Sequence, residues 1–108
     1  MTNPIDIDSL KAMLENKESL YLYDVRRKAD FDADPCLIPG ATRLDPESIS
    51  TVVETLKKDK PAVVYCVKGG SVSTSVADYL NSKNISTTFL KGGLKAWKES
   101  GGILVKAG

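Results

Sequence analysis

The segment Cys66-Val67-Lys68-Gly69-Gly70-Ser71-Val72-Ser73 holds the arrangement in this sequence that elementary chemistry singles out. Its adjacent glycines let the chain curl tightly, so that successive backbone N–H groups can point inward at one anion. The helix that the sequence predicts just beyond them adds the partial positive charge of its first turn. A thiol at the centre of such a ring has its thiolate form favoured, which a nucleophilic or sulfur-carrying cysteine requires. Activation of this kind needs no histidine, and the sequence contains none. Cys-His and Ser-His-Asp nucleophile pairs and histidine-ligated metals are thereby excluded.

Each of these residues also has an ordinary use. A cysteine at a strand end is commonly just packing; the glycine pair and the helix behind it turn the reading of Cys66 toward chemistry. Cys36 has no glycine cradle and reads as a half-exposed bystander, not as a catalytic residue. Lys68 is either a solvated surface lysine or an attractor of an anionic reactant. Ser71 can cap the next helix, hydrogen-bond near the sulfur, or do both. Asp24 and Arg26 fall at a strand end beside the same site, where an ion pair that fixes loop geometry is expected rather than direct catalysis. Trp97 and Leu94 have helical spacing and most simply pack in the core.

The elements that must position this loop follow from periodicity. Asp8-Ser9 before Leu10, Met13 and Leu14 predicts a capped short helix ending near Asn16-Lys17. Leu20 to Tyr23 reads as a strand stopping at Asp24. Arg27 to Pro39 reads as a long irregular connection with one helical turn near Phe31. Pro39-Gly40 is a turn and Ala41 to Leu44 a short strand, after which Asp45-Pro46 is expected to open a helix. Ile49, Val52, Val53 and Leu56 give that helix one apolar face, with Lys57, Lys58 and Lys60 at its end. Ala62 to Tyr65 is an unbroken apolar run, as in a strand buried on both faces of a parallel sheet. Val72, Val76, Ala77 and Leu80 mark the helix after the loop, Ser86 to Leu90 the next strand, and Leu94 to Glu99 a last helix stopped by Gly101-Gly102. Strands alternating with helices imply an α/β domain: an open parallel sheet flanked by helices on both faces, with ligands bound beyond the carboxyl ends of its strands.

Composition narrows the function. The 108 residues suit one domain, with 42% hydrophobic and 27% charged residues as in ordinary globular proteins. Fifteen basic residues nearly balance 14 acidic ones, scattered along the chain, so nucleic acid is not an expected partner. The first residues lack a basic or apolar run and no window approaches a membrane span, so a cytoplasmic protein without membrane contact is expected. Two cysteines do not make a secreted disulfide framework, and a reducing compartment fits them better.

Four motifs in order resemble the rhodanese, or thiosulfate sulfurtransferase, family. Cys66, Gly69 and Ser71 match its Cys-x-x-Gly-x-(Ser, Thr or Arg) loop, and Asp24-Val25-Arg26 is similar to the Asp-Val-Arg after its first central strand. Ile38-Pro39-Gly40-Ala41 resembles the end of its Gly-His-Ile-Pro-Gly-Ala motif. Leu90-Lys91-Gly92-Gly93-Leu94-Lys95-Ala96-Trp97, with Gly101-Gly102 behind it, resembles its closing segment. The resemblance implies a single rhodanese-like domain over residues 1–108 and an enzyme in which Cys66 takes the outer sulfur of thiosulfate, polysulfide or a protein persulfide. Cys66 then holds that sulfur as a persulfide and passes it to a thiol or cyanide. Val67, Lys68, Gly69, Gly70, Ser71 and Val72 would bind the sulfur species through their amides, Lys68 drawing in the anionic donor and Asp24 and Arg26 supporting the loop. No cofactor or metal is implied, and a monomer is expected. Cys36 and Leu37 depart from the family's Gly-His pair, and Val72 stands where many members have Ser or Ala.

Two other readings stay open on sequence. A phosphatase or arsenate reductase places an arginine six residues after its cysteine; here that position is Val72, so a multiply charged oxyanion would lack its bidentate partner. A dedicated persulfide carrier, or a rhodanese module that only binds protein, has the same sequence features as a free enzyme.

Overall fold

A computed structural model describes residues 3–17 and 19–106. The elements in chain order are α1 (Ile7–Glu15), β1 (Tyr21–Asp24), α2 (Lys28–Ala33), β2 (Cys36–Leu37), β3 (Ala41–Arg43), α3 (Ile49–Val52) running into a 3-10 turn (Val53–Thr55), β4 (Ala62–Tyr65), α4 (Ser71–Ser82), β5 (Thr87–Phe89), α5 (Gly93–Glu99) and β6 (Val105–Lys106). Four strands form a parallel sheet in the order β3-β1-β4-β5, and β2 pairs with β6 in a separate antiparallel ribbon. Ile5 extends the sheet by one parallel bridge to Leu90.

Alternation along the central strands divides the core in two, because successive side chains of a strand leave opposite faces. Tyr23, Val25, Val64 and Cys66 face Ile49, Val53, Val76, Ala77 and Leu80 of α3, the 3-10 turn and α4. Leu22, Val63 and Tyr65 face Leu10 of α1, Ile38, and Leu94 and Trp97 of α5. All four residues of β4 are buried, as its continuous apolar run predicts for a central parallel strand. The open parallel sheet with helices on both faces is therefore the fold of this chain. Among the described residues no helix is long and apolar enough to cross a membrane.

Four local expectations shift. The first helix is capped by Asp6, whose carboxylate accepts from the Ser9 N–H at 2.7 Å, so it begins before Asp8-Ser9. Asp45-Pro46 opens no helix: the Asp45 carboxylate accepts from Glu47 N–H and its carbonyl from Ser48 N–H, closing a turn with Pro at its second position. The helix beyond is one turn long because the β-branched run Thr51-Val52-Val53 supports it poorly, leaving Lys57, Lys58 and Lys60 outside it. The connection after β1 is more ordered than its charge suggested and carries both α2 and β2.

The strand order also fixes where a ligand crevice lies. From β1 the chain moves to one side of the sheet, toward β3; from β4 it moves to the other, toward β5. The carboxyl ends of β1 and β4 are adjacent, and their outgoing connections diverge, which is the topological switch point of an open α/β sheet. Arg26 and Arg27 leave one strand there and Cys66 leaves the other.

Candidate functional site

Cys66 sits one residue past β4, 6% exposed, at the base of a concavity of about 340 Å3. Val67, Lys68, Gly70, Ser71 and Val72 line that concavity from the loop side, and Arg26, Arg27 and Asp30 from the β1–α2 side. Of the candidate site residues read from the sequence, Gly69 and Asp24 do not line it, and each lies beneath for a physical reason.

Gly69 and Gly93 hold the loop against the start of α5. Both have positive φ, +71° and +61°. A Cβ on Gly69 would lie 2.7 Å from Gly92 N, and one on Gly93 would lie 2.5 Å from the Cys66 carbonyl oxygen. This close approach lets α5 bind the loop's backbone: the Cys66 carbonyl accepts from Leu94 N–H at 2.8 Å and the Val67 carbonyl from Lys95 N–H at 2.9 Å. In a trans peptide the carbonyl and the following N–H point in opposite directions, so the amides of Val67 and Lys68 are turned away from α5. On the other side, α4 opens at Ser71 with Gly70 as its N-cap, and the first amides of any helix have no partner within it.

Among the described residues the Cys66 sulfur has one side-chain partner, the hydroxyl of Ser73, at 3.3 Å. Ser73 is fully buried and its hydroxyl donates to the Gly70 carbonyl, also at 3.3 Å. That carbonyl accepts in addition from Thr74 N–H at 3.2 Å and Thr74 Oγ1 at 3.1 Å. The Ser73 proton can therefore rotate from the carbonyl to a sulfur anion without orphaning the carbonyl. The sequence reading missed Ser73, which is one of several hydroxyl residues in α4; only its position on the strand-facing side of the helix sets it apart.

Asp24 and Arg26 form a buried ion pair, 0% and 1% exposed, with Nη2 to Oδ2 at 2.7 Å and Nε to both carboxylate oxygens. The guanidinium goes on to donate to the carbonyls of Asp34 at 3.0 Å and Cys36 at 2.7 Å, while the Asp24 carbonyl accepts from Arg43 and Leu44 N–H. Arg26 thereby ties the floor of the crevice to the β2 ribbon. Tyr65, buried on the opposite face, accepts from Ile38 N–H at 3.2 Å. Burial first, then the charge of Asp24, holds its phenol far above the ordinary value, so it stays neutral and offers no base. Arg27 and Asp30 were also missed, because they fell in a stretch read as an irregular charged connection. Arg27 precedes α2 as its N-cap and is exposed.

The parallel sheet, the switch-point crevice and the glycine-held cysteine loop define an α/β domain with a cysteine site. A model of the rhodanese-like domain matches residues 6–100, and the chain belongs to that family. It is 36% identical over 94 residues to YtwF of Bacillus subtilis, covering 87% of this chain and 88% of that protein. It is 30% identical over 95 residues to the thiosulfate sulfurtransferase GlpE of Tolumonas auensis, covering 87% and 86%. Among solved structures, a Lactobacillus plantarum protein superimposes with a TM-score of 0.85 at 26% identity, covering 94% of this chain and 87% of that one. Family membership supports a sulfurtransferase-type function in general terms.

Proposed function

We propose that the chain is a rhodanese-type sulfurtransferase in which Cys66 carries the transferred sulfur. In the first half-reaction the Cys66 thiolate attacks the outer sulfur of a donor such as thiosulfate. The new S–S bond forms as the donor's own S–S bond breaks, and sulfite leaves with the electron pair. In the second, a thiol or cyanide attacks the outer sulfur of the Cys66 persulfide and the electron pair returns to Cys66. Negative charge stays on sulfur throughout, so the site's task is to stabilise a sulfur anion in two positions.

One observation supports this reading: the carbonyls of Cys66 and Val67 accept from the first turn of α5, so the amides of Val67 and Lys68 face away from that helix. Those amides, with Gly69, Gly70, Ser71 and Val72 completing the curl, would solvate the anion, and Ser73 would add a hydroxyl. Lys68, exposed on the rim, would draw in the anionic donor. Val72 occupies the position at which a phosphatase loop needs arginine, which favours a sulfur anion over a phosphate ester. Both cysteines are free, as suits a reducing compartment such as the cytoplasm.

The test is sulfur transfer from thiosulfate to cyanide, followed through thiocyanate and sulfite together. Wild-type protein should release both in equal amounts and Cys66→Ser neither. Turnover that survives Cys66→Ser, or hydrolysis of an aryl phosphate by the wild type, would remove the assignment.

A further inference from the structure

α2 and its N-cap Arg27 supply the outer wall of the crevice over Cys66, through Arg27 and Asp30, yet no residue of this helix is buried. Its one large apolar side chain, Phe31, packs in neither of the two core clusters. A helix of six residues does not hold its shape in water unaided. The wall must therefore be seated by contacts other than the core.

Two cations supply them. The Arg26 guanidinium lies over the Phe31 ring at 5.0 Å and that of Arg43 at 4.8 Å. Both are fixed through their edges, Arg26 to the Asp24 carboxylate and the carbonyls of Asp34 and Cys36, Arg43 to the Asp24 carbonyl. A planar guanidinium bonded at its edges keeps its face for stacking, so the ring rests on cations that the sheet itself holds still. The seat is passed on: Phe31 N–H donates to the Arg27 carbonyl at 3.0 Å, one turn back toward the crevice. At the other end Asp34, the C-cap, is held by Arg26 and by Lys98 of α5. Arg27 itself forms no ion pair among the described residues, so where its charge lies depends on the helix that carries it.

Deepening the sulfurtransferase reading and resting on it, we propose that Phe31 is a positioning residue for donor binding. Its hold on Arg26 and Arg43 seats α2, and the seated helix keeps Arg27 facing the crevice where an anionic donor approaches Cys66. The cysteine loop is clamped from α5 instead, so unseating α2 weakens capture of the donor without disturbing the sulfur chemistry that follows.

Fluorination changes the electrons of the ring and not its bulk: mono-, di- and trifluorophenylalanine at position 31 keep the shape of Phe31 while the ring face loses negative charge. The KM for thiosulfate should climb stepwise along that series, to about tenfold for the trifluoro ring, with kcat within about twofold. Phe31→Leu should match the end of the series, and Phe31→Tyr should stay near wild type. A KM that ignores fluorination, or a kcat that falls as far as the KM rises, would overturn the proposal. Hydrogen exchange at the Phe31 and Asp34 amides reads the seat without turnover; it should quicken along the same series while exchange at the Leu94 amide, bonded to the cysteine loop, does not change. A donor KM independent of the ring, in a chain that loads sulfur on Cys66, sinks the role of the wall alone. Exchange that follows fluorination in a chain that takes up no sulfur sinks the sulfurtransferase reading and leaves the seat standing.

Discussion

The two cysteines lie on opposite faces of the same sheet and differ in everything that governs reactivity. Cys66 packs with the α4 cluster, opens on a concavity rimmed by Arg27 and Lys68, and has a hydroxyl as its neighbour. Cys36 packs at the edge of the α1–α5 cluster, in the β2–β6 ribbon, with the Asp34 carboxylate 3.5 Å from its sulfur. Burial first, and then that carboxylate, push the Cys36 thiol above its ordinary value of 9.0. Half-buried against 6% exposed, Cys36 is the more accessible of the two, yet burial and a carboxylate hold its thiol from ionising. Exposure alone does not make a cysteine reactive; the charges and dipoles that meet its sulfur do.

The contrast can be broken from either side. The largest effect is expected from the cysteines themselves: Cys66→Ser should abolish sulfur transfer, while Cys36→Ser should leave it within about twofold. Next is Asp24→Ala, which strands Arg26 in the core and so loosens its bonds to Asp34 and Cys36. Breaking a buried pair costs about 3–5 kcal/mol, and urea denaturation should show a loss of that order. Gly93→Ala attacks the other side by pushing a methyl into the Cys66 carbonyl at positive φ. It should cost roughly 2–3 kcal/mol of stability and, by displacing the loop, on the order of a hundredfold in turnover. Ser73→Ala removes one hydrogen bond to sulfur. It should slow sulfur loading by about fivefold, near 1 kcal/mol, with the KM for thiosulfate unchanged and Ser73→Gly no better.

The smallest effect concerns pH. Because the Cys36 thiol ionises less readily folded than unfolded, the unfolded chain releases that proton first as pH rises. In a Cys66→Ser background the contribution is intact below the unfolded thiol's value and is lost as pH climbs through 9.0 toward the folded value. Stability there should fall slightly, and Cys36→Ser should flatten the fall. Alkylation of Cys36 should likewise stay slow up to that pH.

What the sequence disclosed about the fold was carried by periodicity and by punctuation. Ala62 to Tyr65 read as an interior parallel strand and is one, and the 3.6-residue spacing from Val72 to Leu80 marked α4. Errors arose where local side-chain hydrogen bonds decide: Asp6 in place of Asp8-Ser9 as a cap, and Asp45 closing a turn where Pro46 suggested a helix. The site divided in the same way. Cys66 and its glycines announce themselves within eight residues, and Asp24 with Arg26 within three. Ser73 and Arg27 reach the site through the third dimension, one by the face of α4 it occupies and the other across the β1–β4 switch point, and neither carries a local signal. Gly93 stood out in the sequence only as part of the segment from Leu90 to Trp97 although it clamps the cysteine loop, since its partner lies 27 residues back at Cys66.

The most direct measurement of the central claim is the mass of the intact, fully reduced chain after exposure to thiosulfate, followed by peptide mapping. One added sulfur on the peptide containing Cys66, absent from Cys66→Ser and removed by cyanide, is the predicted result. A chain that stays unmodified, or that gains its sulfur on Cys36, would contradict it.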